Sequence, residues 1–255
     1  MTLEHSLHRA AAHATAAHQL LRPTPRTDDK PPAQLRRYEV CSLLPNGSVV
    51  ETRHIAPALP LFEQAFTAFA RGALVETDIG PVAIEDILPG DRVRTADGSF
   101  GEAVWKGMTT LIPARNSASG ASMKLTTFMA DSFGIQKPSS CVVAGPGARL
   151  LATPPHLRHT AKAGEILTPV QDFQDGMTIF ETAPPAPVDT FHICLRTHAV
   201  IKVGGLLFES YHPGAEALRL VSYPIKTLFL EMFPQVKSIS DFGPLAFDRT
   251  LATQA

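Results

Sequence analysis

Proline and glycine interrupt this chain so often that no long regular element fits between them. The pairs Gly80-Pro81, Pro89-Gly90, Asp97-Gly98 and Gly204-Gly205 are spread through the middle of the sequence. Proline fixes φ and lacks an N–H, and glycine supplies positive φ, so each pair ends a strand or a helix for a backbone reason. Between the breaks lie short runs rich in Val, Ile, Leu, Phe and Thr: ALVET, PVAIEDI, DRVRTA, EAVWKG, SMKLTTF, ARLLAT, EILTPV, MTIFET, DTFHICLR, HAVIKV and LLFESY. Runs of this length and composition read as strands. The expected fold is therefore mainly β, a compact domain of many short strands. With 44% hydrophobic and 18% charged residues in a chain of 255, there is enough apolar surface for a sizeable core.

The flanks read differently. Residues 1–35 are expected to be a flexible tail and linker, since 4–21 support one marginal helix and 22–34 (RPTPRTDDKPPAQ) concentrate proline and charge. Residues 36–65 read as a β-hairpin plus a helix. YEVCSLL and VVETRHI flank Pro45-Asn46-Gly47-Ser48, where Asn-Gly favours the positive φ angles of a tight turn. After Pro60, the residues Leu61, Phe62, Ala65, Phe66 and Phe69 recur at helical spacing. Residues 66–215 hold the β-rich domain, and 216–255 read as a helical extension interrupted at Pro224 that ends in a loosely held tail.

Charge and cysteine content exclude several function classes. A formal net charge of -1 gives no basic field for nucleic acid, and Arg22, Arg26, Lys30, Arg36 and Arg37 lack interleaved aromatics, so no nucleic-acid partner is expected. No apolar run reaches the ~18 residues a membrane helix needs, so no membrane insertion is expected. The first residues alternate Ala with His and lack the apolar core of a secretory signal. Cys41, Cys141 and Cys194 show no C-x-x-C spacing, which points to a reducing compartment, the cytoplasm; leaderless secretion leaves no mark of its own. His156 and His159 in PPHLRHT have ligand-like spacing, but no third ligand stands nearby, so neither a metal nor another cofactor is expected. Nothing in the composition names a protein partner or an oligomeric state.

Three ordered blocks carry the informative pattern. The first is Ala68-Phe69-Ala70-Arg71-Gly72-Ala73-Leu74-Val75, followed by GPVAIEDILPGDRVRTADG and then Trp105. The second is Gly145-Pro146-Gly147-Ala148-Arg149-Leu150-Leu151, and the third is Phe191-His192 through His198-Ala199-Val200 with Glu209-Ser210-Tyr211-His212-Pro213-Gly214. Over roughly 66–215 the chain resembles the bacterial form of the Hedgehog/intein (Hint) domain family. There, Cys-Phe-x-x-Gly-Thr opens the domain, S-P-x-H-R-x-L follows, and F-H-L-x-x-D-R-H-E-V with E-S-F-H-P-G closes it. The resemblance implies a Hint-type β fold and self-directed acyl transfer. A first-position Cys attacks the carbonyl before it to form a thioester, while a His helps protonate the departing nitrogen.

Carried over residue by residue, the nucleophile position falls on Ala68 and the histidine position on Ala148; Ala73 also replaces the family Thr. A methyl group has no lone pair to attack with and no proton to give. The expectation is a Hint-type scaffold whose self-processing centre is lost and which serves binding or accessory roles. His192 and His198 match the late-block histidines and are candidate remnants of the centre, against the plainer role of hydrogen-bonded sheet residues. If the resemblance holds, Ala68 lies near Ala148 and both histidines in a central cleft. The alternative is an active autoprocessing domain with a displaced nucleophile, for which Cys41, Cys141, Cys194 and Thr67 are the candidates. A conventional hydrolase ranks last, since there is no G-x-S-x-G, H-E-x-x-H or P-loop. Asp91 is expected to hold backbone N–H groups of the Pro89-Gly90 turn, and His212 to shape the turn that ends the domain.

Overall fold

The first turn shows how little chain each strand needs. Strands β1 (Leu35–Leu43) and β2 (Val49–Pro57) pair antiparallel along their whole length, Leu35 opposite Pro57 and Leu43 opposite Val49. The turn sits where Asn46-Gly47 places it, yet only Gly47 takes positive φ, at 84°. The Leu44 N–H donates to the Ser48 carbonyl at 2.8 Å, so this is a longer loop closed by one glycine, not a two-residue turn with both φ positive. The computed structural model describes residues 34–113, 123–154, 166–214, 216–219 and 221–250. The chain divides into two units, Met1–Gln34 and Leu35–Ala255. The helix expected over 4–21 lies outside the described residues.

Helix α1 (Pro60–Phe66) begins on proline, whose missing N–H costs nothing in a first turn. It buries Phe62, Ala65 and Phe66, but Phe69, expected on the same stripe, lies in the two-residue strand β3 (Phe69–Ala70). The domain continues through β4 (Leu74–Thr77), β5 (Gly80–Ala83), β6 (Arg92–Arg94), β7 (Phe100–Leu111) and β8 (Leu125–Phe128). Then come β9 (Val142–Ala144), β10 (Arg149–Leu151), β11 (Leu167–Pro169), β12 (Ile179–Thr182), β13 (Val188–Leu195), β14 (Val200–Val203) and β15 (Leu206–Glu209). The protein is mainly β, as expected. The strand order is β11-β10-β15-β14-β4-β6-β7-β13-β3-β9-β8-β12, with β5 beside β4 and the first hairpin beside β7.

Strand β7, twelve residues long, is shared by most of the fold. Its first residues pair with β6, and the rest pairs with β13 on one edge and β1 on the other. The Pro89-Gly90 turn feeds into this layer as expected: the Leu88 N–H donates to the Asp91 carboxylate at 2.8 Å, and the Gly90 N–H to the Ala103 carbonyl at 2.7 Å.

Among the described residues, two large cores and one small cluster around Leu151, Leu167 and Val200 form on this frame. One gathers Ala68, Phe69, Phe128, Ile193 and Phe208 among others inside the β domain. The second is centred on Trp105, whose ring stacks on Phe233 at 4.6 Å and meets Phe66 edge-on at 5.3 Å. The Trp105 indole N–H donates to the Met232 carbonyl at 2.7 Å. Helix α2 (Tyr223–Glu231) supplies Phe229 to this core and has Pro224 in its first turn, so the proline starts the helix and does not interrupt it. The loosely held tail expected at the end is also corrected. Phe233 is fully buried, Phe242 packs edge-on against it at 5.2 Å, and the Leu167 N–H donates to the Asp248 carbonyl at 2.8 Å. The apolar face around Trp105 needs covering, and these residues cover it.

Gly107 gives the sharpest packing test. A Cβ there would overlap the buried rings of Trp105 and Phe66, whereas one at Gly101 would meet chiefly a terminal methyl of Leu195. Gly107→Ala is expected to lower the unfolding free energy by about 1–3 kcal/mol, and more than Gly101→Ala does, in urea titrations with unchanged m. Equal losses in the two variants would contradict this packing.

Candidate functional site

The Thr67–Ala68 junction is held on both sides by backbone. The Ala68 N–H donates to the Phe191 carbonyl at 3.2 Å, and the Ala68 carbonyl accepts from the Gly145 N–H at 2.8 Å. The Thr67 carbonyl accepts from the Gly147 N–H at 3.1 Å. Both loop positions must be glycine, because a Cβ at 145 would strike the Thr67 carbonyl and one at 147 the Gln64 carbonyl. The loop closes through the Ala148 N–H, which donates to the Gly145 carbonyl at 3.0 Å. Ala68 and Ala148 are thereby brought into one apolar cluster and are 0% and 1% exposed. They lie in a sealed core, and the expected cleft is not present at these two side chains.

His192 is an ionisable side chain that contacts residues on both sides of this junction, Gln64 and Phe69. It sits on β13, next in sequence to the Phe191 that binds Ala68, and its ring packs edge-on against Phe69 at 6.0 Å and Tyr211 at 5.2 Å. Its Nδ1–H donates to the Gln64 carbonyl at 3.2 Å. Burial pulls its pKa down to about 4, against a smaller opposing effect of the Gln64 hydrogen bond. The ring is thus neutral near pH 7, and with the proton on Nδ1 its Nε2 is a bare lone pair. That nitrogen is buried and has no hydrogen-bond partner; the Glu209 carbonyl lies towards the ring without completing one. Such a nitrogen can accept a hydrogen bond but holds no proton at neutral pH.

His198 does not share this place. Strand β13 ends at Leu195 and the chain bends at 196–197, so His198 lies outside the strand that carries His192, and the two histidines do not share one site. The His198 Nδ1 accepts from the Ala246 N–H at 2.9 Å, and its Nε2–H donates to Glu209 at 3.1 Å. Glu209 also accepts from Arg249 Nε at 2.9 Å and is ion-paired with its Nη2 at 2.8 Å. Burial acts to raise the Glu209 carboxyl pKa, but the bonds from His198 and Arg249 outweigh it and hold the group ionised below its usual range. His212 shapes the closing turn as expected, accepting from the Gly214 N–H at 2.9 Å and donating to the Gly243 carbonyl at 3.0 Å. Sequence reasoning missed Arg149 and Arg249. The buried Glu209 in E-S-Y-H-P-G was the available signal, since such a carboxylate needs cations.

Of the displaced-nucleophile candidates, Cys194 and Thr67 donate to backbone carbonyls. Cys194 faces the Trp105 core, its thiol donates to the Tyr211 carbonyl at 3.4 Å, and burial raises its pKa well above normal. Cys41 is half-buried with its pKa raised by burial and by Glu51, and Cys141 is exposed. The Thr67 hydroxyl donates to the Glu63 carbonyl at 2.8 Å. His156 and His159 lie outside the described residues. Among the described residues no group of three or more His, Cys, Asp or Glu is placed to hold a metal, and no helix is long and apolar enough to cross a membrane.

A β domain whose first strand follows directly on a buried, doubly bonded junction is what these contacts define. Residues 67–215 match the Hint domain family, more than half of the chain, and the chain belongs to that family. Among solved structures it is similar to the solution structure of a bacterial intein-like domain from Clostridium thermocellum, at 13% identity and a TM-score of 0.41. That match covers 57% of this chain and 99% of the other. A comparison with curated proteins finds no match.

His192 makes stability depend on pH in a defined window. The unfolded ring takes a proton near pH 6.5 and the folded one only near 4, so acidification between these values favours the unfolded state. The natural chain is expected to lose up to ~3 kcal/mol relative to His192→Gln over that window and to keep a constant difference above pH 7, as read from urea unfolding. Parallel stability curves from pH 4 to 8 would contradict a buried neutral ring.

Proposed function

We propose that this protein is a Hint domain that has lost self-processing and acts as a binding or accessory scaffold. The observation that carries this reading is the integration of the chain upstream of residue 68 into the domain's own core. Strand β1 pairs with β7 from Tyr38 opposite Thr109 to Ser42 opposite Trp105, and Tyr38, Phe62 and Phe66 pack with Trp105, Phe229 and Phe233. In the family's chemistry the bond before the first residue is broken. Breaking Thr67–Ala68 would cut residues 35–67 away from a sheet and a core that they share with the β domain.

The residue types agree with that reading. At position 68 a methyl group replaces the attacking thiol, and at 148 a methyl replaces the proton donor. Positioning alone cannot accelerate a step that lacks its nucleophile. His192, bonded to Gln64 just upstream of the junction, is the remnant of the centre on this reading, and His198 belongs to the Glu209 network. Three free cysteines support a reducing compartment, the cytoplasm.

The direct test is intact-mass spectrometry of the purified full chain, held for a day with and without dithiothreitol and hydroxylamine, both of which open thioesters. A single unchanged mass at 27.5 kDa is expected. Two fragments with a break between Thr67 and Ala68 would overturn the proposal and direct the search for the nucleophile to Cys41, Cys141 and Cys194.

A further inference from the structure

The first hairpin leaves one long sheet edge open. Among the described residues, β2 pairs with β1 and with no other strand, so its outer edge presents unpaired backbone groups along Val49–Pro57. The Leu44 N–H donates to the Ser48 carbonyl, and hydrogen-bonded pairs recur at every second residue of an antiparallel ladder, which assigns the groups of Val50, Thr52 and His54 to β1. Those of Val49, Glu51, Arg53 and Ile55 therefore point away from the sheet. Natural proteins blunt or cover an edge of this kind, because each free N–H and C=O is a template for another strand. Pro57 blunts one end by lacking an N–H. The stretch before it stays open.

The side chains on those same residues are all exposed, Val49 at 54% and Ile55 at 69%. In order they read apolar, acidic, basic, apolar. Such a row is its own complement when reversed. An antiparallel copy with a two-fold axis at Thr52 sets Glu51 opposite the partner's Arg53 and Val49 opposite the partner's Ile55, each pair occurring twice. These are also the residues whose free backbone groups then face one another, so side chains and backbone agree on one register. Moving the axis by one residue keeps the backbone match and loses the rest. At Arg53 it sets two arginines face to face with Ile55 against a glutamate, and at Glu51 two glutamates with Val49 against an arginine. Arg53 is placed for the exchange, since its guanidinium approaches Glu39 of its own sheet at 3.6 Å and its side chain is 77% exposed.

We propose that β2 is a homodimer interface, in which two copies of this chain join edge to edge through residues 49–55 into one continuous sheet with Thr52 on the two-fold axis. The two charges then act in both directions: they hold the copies at one register, and they set like charges against each other in the neighbouring ones. Assembly closes at two copies because the contact uses up the same edge on both. A single strand pair covers less than the ~800 Å² per partner of a standard interface, so the dimer is weak and forms with rising concentration.

Analytical ultracentrifugation of the full chain tests this, with dithiothreitol present so that the exposed Cys141 cannot cross-link copies. Over about 5 to 300 µM chain, the range that suits a weak interface, the mass is expected to climb from 27.5 kDa towards twice that value. Arg53→Glu sets glutamate against glutamate and Glu51→Arg sets arginine against arginine, and each is expected to raise the dissociation constant about tenfold or more. The double variant Glu51→Arg/Arg53→Glu reverses both charges and restores the pairing, so its dissociation constant should return to within about threefold of the natural chain. A monomer at every concentration would overturn the proposal, and slow exchange of the Glu51, Arg53 and Ile55 amides in that monomer would give the edge to another part of the same chain. A dimer indifferent to Arg53→Glu would place the interface elsewhere. A double variant as weak as the single ones would contradict the Thr52 register.

Discussion

Trp105 is where the separate parts of this protein become one. Its indole N–H is bonded to the Met232 carbonyl, its faces meet Phe233 and Phe66, and Gly107 two residues along the strand leaves the room in which the Trp105 and Phe66 rings nest. The hairpin and α1 come before the β domain in sequence and α2 comes after it, yet both are fixed to β7 through this one side chain and its neighbours. Burying aromatic rings of this size is the largest apolar contribution available to a chain with a single tryptophan. The consequence is mechanical as well as energetic. Between residue 35 and the junction at residue 68, the chain is built into the same sheet and core as the β domain.

The junction itself repeats the theme on a smaller scale. Gly145 and Gly147 lie so close to the carbonyls of Thr67 and Gln64 that no side chain fits, and their N–H groups hold the Ala68 and Thr67 carbonyls in place. Under the proposed function, this grip acts as packing around the methyl groups of Ala68 and Ala148. His192 is held in the same way: its Nδ1–H is fixed to Gln64 while its Nε2 is buried without a hydrogen-bond partner.

Much of the fold was legible in the sequence, because proline and glycine act locally. The hairpin around Gly47, the Asp91 bond at the Pro89-Gly90 turn and the His212 contact at the closing turn all involve residues within a few positions of one another. What escaped depends on distance along the chain. Periodicity could not show that α1 stops before Phe69, since Phe69 leaves the helix to pair with Phe191 and Ala144. Likewise the end of the chain read as loose until its aromatic partners were known: Phe233 and Phe242 have no purpose in sequence without Trp105 and Tyr211. The Arg149, Glu209 and Arg249 cluster joins three distant segments, and a charge seen in sequence does not announce its partner. The two late histidines looked alike for the same reason, and the end of β13 at Leu195 with the bend after it sends them to different surroundings.

The account stands on residues before and after position 68 unfolding together, and native-state hydrogen exchange measures that most directly. The slowest amides of β1 and of β13 are expected to exchange with the same opening free energy, falling in parallel as low concentrations of denaturant are added. A β1–β2 hairpin and α1 that open at much lower free energy than β13 would contradict it, because the Thr67–Ala68 junction would then lie at the edge of a separable piece.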